Sequence, residues 1–146
     1  MANKISKNSQ NLADRIHSAA IHLLRKLRRQ DANSGLNAPR LSALSVIVFA
    51  GPVTLGDLAL AEQVRPPTMS RIVDALAEHR LVTKRKNAKD GRSTRIAATQ
   101  AGRNLLMRAR ERRVRALAQQ IGALDAAERA ALQTAADILK RMIDAI

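Results

Sequence analysis

Cysteine is absent from the 146 residues, so disulfides, thiolate zinc sites and thiol redox switches are excluded together. Aromatic side chains are almost absent too, Phe49 being the one Phe beside no Tyr or Trp. A chain without stacking platforms is poorly equipped for single-stranded nucleic acid or for most RNA modules. Acid is scarce: 12 Asp and Glu face 26 Lys and Arg, a formal charge of +14. That imbalance favours a polyanionic partner, and with no aromatic platform the favoured polyanion is duplex DNA. No apolar run approaches the roughly 18 residues of a spanning helix, and Met1 to Gln10 lacks the apolar core of a signal peptide. The expectation is a cytoplasmic protein with no membrane partner.

Chemistry-bearing motifs are missing as well. The chain shows no nucleophile elbow, no Gly-rich phosphate cradle and no cluster with metal-ligand spacing. His17 and His22 stand five residues apart, about 140° around a helix, and so do not share one ion on that helix. An enzyme is therefore not expected, nor a catalytic residue, a metal or a cofactor.

What is present is mostly helical pattern. The length suits one domain. Residues 1–9 are polar and read as frayed, after which Leu12, Ile16, Ala19, Ala20, Leu23, Leu24 and Leu27 follow helical spacing up to Asn33-Ser34-Gly35. Asn37 as N-cap with Pro39 in the first turn opens a second helix through Leu41, Leu44 and Val48 to Gly51-Pro52. Thr54 and Asp57 resemble a capping box at the head of a short helix through Leu58 and Ala61 to Val64. The next helix starts at Pro66-Pro67, whose missing N–H groups suit a first turn, and buries Met69, Ile72, Val73 and Leu76. Leu81-Val82-Thr83 and Thr94-Arg95-Ile96-Ala97 read as two strands around a turn at Asn87 to Gly91. A long helix follows from an N-cap at Thr99 to a break at Gly122. The last helix, capped by Asp125 with Glu128, carries Leu132, Ala135, Leu139, Met142 and Ile146 as a coiled-coil-like seam.

Two short helices followed by a basic strand-turn-strand segment, residues 54 to 97, are the order of a winged helix-turn-helix. The start of its second helix offers Arg65, Pro67, Thr68, Ser70 and Arg71 to DNA. Arg71 is either a base reader or a phosphate clamp, and the Thr68 and Ser70 hydroxyls either reach DNA or satisfy the helix N-terminus. The hairpin adds Arg85, Lys89 and Arg92, the last placed at the wing tip for the minor groove, while Asp90 is read as wing-stabilising through an arginine pair. Lys84, Lys86 and Lys89 also fit a merely solvated basic face. The arginines from Arg103 to Arg115 are left unassigned. The apolar stripes of the first, fifth and sixth helices exceed what one small winged domain covers, which predicts a homodimer through Leu12, Ile16, Leu132, Leu139, Met142 and Ile146.

The whole chain resembles the MarR family of bacterial transcription regulators. Asp90-Gly91-Arg92-Ser93 followed by Thr99 and Gly102 carries the likeness most specifically, supported by Leu58-Ala59, by Thr68 to Val73 and by Leu76 with Leu81-Val82. The resemblance implies a mainly α fold as a single MarR-like domain over 1–146, with dimerisation helices at 1–33 and 123–146. Between them it implies a winged helix-turn-helix at 37–97 and a connecting helix at 99–122. It also implies a repressor that binds a palindromic operator as a dimer and is released by a small-molecule effector near Ile16, His17, Ala20 and Phe49. Read residue by residue, those four positions are ordinary core. Three positions depart from the family pattern: Arg65 replaces a capping Ser or Thr, Arg80 replaces a Gly, and Ala98 replaces a large apolar residue. The charge alone supports a second reading, a nonspecific or architectural nucleic-acid-binding protein.

Overall fold

A computed structural model of the chain describes residues 6–86 and 94–145. The expected wing residues Lys89, Asp90 and Arg92, the turn at Asn87 to Gly91 and the seam residue Ile146 lie outside the described residues. The chain divides into two compact units, Met1–Arg113 and Val114–Ile146.

The first unit opens with α1 (Lys7–Arg28), which runs on as a 3-10 helix over Arg29–Ser34 and stops at Gly35 with φ 74°. Residues 7–9 were expected to fray, but Ser6 Oγ accepts the Ser9 N–H at 3.1 Å and starts the helix at Lys7. One side-chain acceptor at the N-cap is enough to satisfy a donor that would otherwise face water. Helix α2 (Ala38–Ala50) is capped by Asn37 as expected. It buries Leu41, Ala43, Leu44 and Ile47, whereas Val48 is only half-buried.

Helix α3 (Leu55–Ala61) is shorter than the sequence pattern suggested. Gln63 takes a left-handed φ of 54°, and the Val64 N–H reaches back to the Ala59 carbonyl at 3.0 Å. That closing bond ends the helix before Val64. At its head the Thr54 hydroxyl accepts the Asp57 N–H and donates to the Asp57 carboxylate at 2.7 Å, so the reciprocal half of the capping box is not made. Helix α4 (Pro66–Glu78) buries Met69, Val73, Ala75 and Leu76 and leaves Ile72 half-buried. It ends on the same closing bond, Leu81 N–H to Leu76 carbonyl at 2.9 Å, with Arg80 at φ 56° in the position that favours glycine.

The sheet contains a strand that the sequence reading missed. Val53–Thr54 forms β1, which pairs antiparallel with β3 (Thr94–Ala98), and β3 pairs antiparallel with β2 (Val82–Lys86), in the order β1-β3-β2. Two residues have no periodicity to detect, and only the partner strand defines them. Val82, Leu81 and Ile96 join the side chains of α2, α3 and α4 and Leu106 and Ala109 of α5 (Gln100–Gly122) in one core. Thr99 ties α5 to the root of the wing. Its hydroxyl accepts the Gly102 N–H at 3.0 Å and lies within donating distance of the Arg80 and Leu81 carbonyls.

The second unit holds the end of α5 and α6 (Ala126–Ile143). Here the expected capping box is complete: Asp125 accepts the Glu128 N–H at 2.8 Å, and Glu128 accepts the Asp125 N–H at 3.0 Å. None of the residues of α6 is buried, and Leu132, Leu139 and Met142 are exposed.

Candidate nucleic-acid interface

The start of α4 lacks a side-chain cap at Arg65, yet few donors there are left without partners. Pro66 and Pro67 carry no N–H, and the Thr68 and Met69 N–H groups bond to the Arg65 carbonyl at 3.0 and 3.1 Å. The missing cap therefore costs little. It also means that this helix start offers few free backbone donors to a phosphate, so side chains must supply the contacts. Arg65, Pro67, Thr68 and Arg71 are all exposed, whereas Ser70 is half-buried with its Oγ 3.5 Å from the Asp74 carboxylate.

Helical spacing sets Pro67, Arg71, Asp74 and Glu78 along the outward stripe of α4, opposite the buried Met69, Val73 and Leu76. Arg71 is the one basic member of that stripe, and its last two positions are acidic. Asp74 forms an ion pair with Lys84 of β2.

Strand register sorts the cations of the wing. Lys84 stands opposite the buried Ile96, so its side chain shares the face turned to the core, while Arg85 stands opposite Arg95 on the other face. Two guanidinium groups directly across a ladder repel each other. The Arg95 Nη1 donates to the Pro52 carbonyl at 3.1 Å, which holds one of them against the loop before β1. Among the described residues no carboxylate pairs with Arg85 or Arg95. The structure thus brings Arg65, Thr68 and Arg71 onto one helix start and Arg85 onto the neighbouring hairpin. From the sequence, Arg95 counts among the hairpin cations that suit a phosphate backbone or minor groove, without being singled out as a contact. The sequence reading assigned no role to Asp74, whose partner lies ten residues away.

Away from this surface, Arg113 and Arg112 of α5 hold the 3-10 segment. The Arg113 Nε lies 3.3 Å from Oδ1 of Asp31, which is 8% exposed, and the Arg112 Nε donates to the Gln30 carbonyl at 3.2 Å. The Asp31 Oδ1 is buried and, despite that ion pair, has no partner in hydrogen-bond geometry. A cavity of about 140 Å³ beside this pair is lined by residues that include Arg28, Leu41, Ser42 and Ser45. None of the four expected effector positions lines it. Ile16 is half-buried and His17 and Ala20 are exposed on α1, and Phe49 is 65% exposed on α2, so the reading of these positions as ordinary core is corrected. On α2 the inward side is taken by Leu41, Leu44 and Ile47, whereas α1 buries none of its residues. No group of three or more metal-ligating side chains occurs among the described residues, and no helix there is long and apolar enough to cross a membrane.

The model of the MarR family matches residues 34–93, which hold α2, α3, α4 and the start of the sheet. An uncharacterised HTH-type transcriptional regulator of Mycobacterium bovis is 34% identical over 133 residues, 91% of this chain and 93% of that protein. The chain belongs to the MarR family. A MarR family protein from Bacillus stearothermophilus shares the fold with a TM-score of 0.80 at 19% identity, covering 96% of this chain and 99% of that one. A variant of Staphylococcus aureus MepR bound to an oligodeoxyribonucleotide superposes with a TM-score of 0.68 at 18% identity over 92% and 98% of the two chains. As a MarR family member the protein is a DNA-binding transcriptional regulator with a mainly α, winged helix-turn-helix fold, and not an enzyme.

Proposed function

We propose that this MarR family regulator is a repressor that binds a palindromic operator as a homodimer and is released by a small molecule. The observation that carries the DNA-reading part is the start of α4, where Arg65, Thr68 and Arg71 are exposed together beside the cationic hairpin. In a winged helix-turn-helix this turn enters the major groove, and two copies related by a twofold axis reach successive grooves about 34 Å apart. Arg71 is assigned to a base edge or a phosphate, and Thr68 to a phosphate or base. Ser70, Arg65 and Pro67 line the same approach. Arg85, Lys89 and Arg92 are assigned to the backbone and minor groove, with Asp90 steadying the wing.

Dimerisation is assigned to apolar side chains of the terminal helices: exposed Leu12 and half-buried Ile16 on α1, and exposed Leu132, Leu139 and Met142 on α6, with Ile146 beyond. Leu12 is 53% exposed and Met142 49%, and apolar stripes on two helices are the usual material of an isologous interface. The effector is assigned to the neighbourhood of Ile16, His17, Ala20 and Phe49. It would act by favouring a dimer whose recognition helices are differently spaced.

The test is a fluorescence-anisotropy titration of the duplex upstream of the protein's own coding region against a scrambled duplex, with competitor DNA near about 150 mM salt. A preference of roughly a thousandfold supports operator binding. Equal binding that falls away steeply with salt supports the architectural, phosphate-only reading instead.

A further inference from the structure

The outward stripe of α4 is an odd place for acid in a chain with 12 acidic and 26 basic residues. A carboxylate next to a DNA-reading arginine repels every phosphate that approaches it. Asp74 stands one turn after Arg71 and bonds across to Lys84, and the two side chains remain 50% and 39% exposed. An exposed pair of this kind contributes little to folding. Its geometry says more. Lys84 lies on the core-facing side of β2, over a cavity of about 170 Å³ lined by Ser70, Val73, Thr94 and Ile96 among others. The bond from Asp74 to Lys84 thus runs from α4 to the wing sheet. The Ser70 hydroxyl, on the preceding turn of α4, lies 3.5 Å from the other Asp74 oxygen.

We infer that Asp74 is a specificity-determining positioning residue: its carboxylate withholds Lys84 from the DNA backbone and so lowers affinity for arbitrary duplex more than for the cognate site. The inference rests on the proposal that α4 faces DNA. Two effects act in the same direction. The paired ammonium releases no DNA counterion, because its charge is already met within the protein. The carboxylate that remains half exposed on the stripe is tolerated only where a base edge presents an amino group, as cytosine N4 or adenine N6 does in the major groove. Sequences without that donor bear the repulsion unrelieved, and discrimination arises from penalising them.

The experiment measures the salt dependence of binding to a random-sequence duplex and to a duplex selected from a random pool by the unaltered protein. Four proteins are compared: wild type, Asp74→Asn, Lys84→Ala and the double variant. Asp74→Asn is expected to steepen the log-log salt slope on random duplex by about 0.9, the value of one further neutralised phosphate, which is about fivefold in affinity near 150 mM salt. The selected duplex is expected to gain less, so the specificity ratio falls. Lys84→Ala alone is expected to leave the slope unchanged, and in the Asp74→Asn background to return it to the wild-type value. A one-unit loss of slope in Lys84→Ala alone would place Lys84 on a phosphate already and overturn the inference. So would an unchanged slope in Asp74→Asn, or a loss of the selected duplex alone, which would make Asp74 a direct base reader. Arg71→Ala separates the two readings: if it binds both duplexes like wild type while Asp74→Asn steepens the slope, Arg71 is not the reader and the role of Asp74 still holds.

Discussion

Replacing Gly102 with alanine sets two local rules against each other. By helix propensity alone the change stabilises an α-helix by about 1 kcal/mol. In this fold the added methyl would overlap the Leu81 carbonyl oxygen and stand 3.1 Å from the Leu81 carbonyl carbon and 3.3 Å from Leu44 Cδ1. A side-chain end could swing aside, but a carbonyl cannot, because Leu81 O already accepts the Thr99 N–H at 3.0 Å and lies 3.1 Å from the Thr99 hydroxyl. The start of α5 must therefore move by about an ångström. Overpacking of this kind costs about 1–3 kcal/mol, and a strained or lost hydrogen bond adds about 1 kcal/mol. After the propensity gain is subtracted, a net destabilisation of about 1–3 kcal/mol remains, or roughly 3–10 °C in melting temperature for a chain of this size. Thermal and urea denaturation at matched protein concentration measure it, since an associating protein melts at a concentration-dependent temperature. A Gly102→Ala variant that melts at or above the wild-type temperature would refute the close approach of α5 to Leu81.

Arg80→Gly is expected to raise the urea midpoint by the equivalent of about 0.5–1 kcal/mol, because φ 56° is strained for arginine and the exposed side chain gives up little packing. Arg113→Ala leaves the buried Asp31 carboxylate without its cation and is expected to destabilise by about 1–3 kcal/mol, less than a fully buried pair because Arg113 is 31% exposed. Adding Asp31→Asn should recover part of that loss in the same denaturation experiment. Leu139→Asp on the exposed face of α6 is expected to shift sedimentation from dimer to monomer without loss of helical circular dichroism; an unchanged dimer would move the interface elsewhere. Arg92→Ala is expected to weaken operator binding by at least about 1 kcal/mol with the dimer intact, and unchanged binding would remove the wing tip from the mechanism.

How much was legible along the chain depended on the range of the signal. The caps at Asn37, Thr99 and Asp125 and the proline start at residue 66 are local: each needs only its own side chain and the next turn. They mark helix boundaries that the structure has within a residue or so. The +14 charge and the lack of aromatics pointed to duplex DNA for the same reason, since net charge and composition need no coordinates. The left-handed turn at Gln63 was not visible, because glutamine gives no turn signal and the closing bond from Val64 to Ala59 forms only in the folded loop. Likewise β1 exists only because Val53 meets Ile96 across 43 positions.

Sequence by itself therefore determined the helices, their order, the cationic character of the hairpin and the start of the recognition helix. Tertiary structure alone decided how the wing charges divide. Register places Lys84 toward Asp74 and sets Arg85 against Arg95, because side chains alternate between the two faces of a strand and a one-residue slip would exchange them. It also decided that Gly102 must be small, that Asp31 is closed off by Arg113, and that Phe49 faces outward. Each of these turns on a neighbour distant in sequence, whose position is set by burying one common core rather than by anything local to the residue itself.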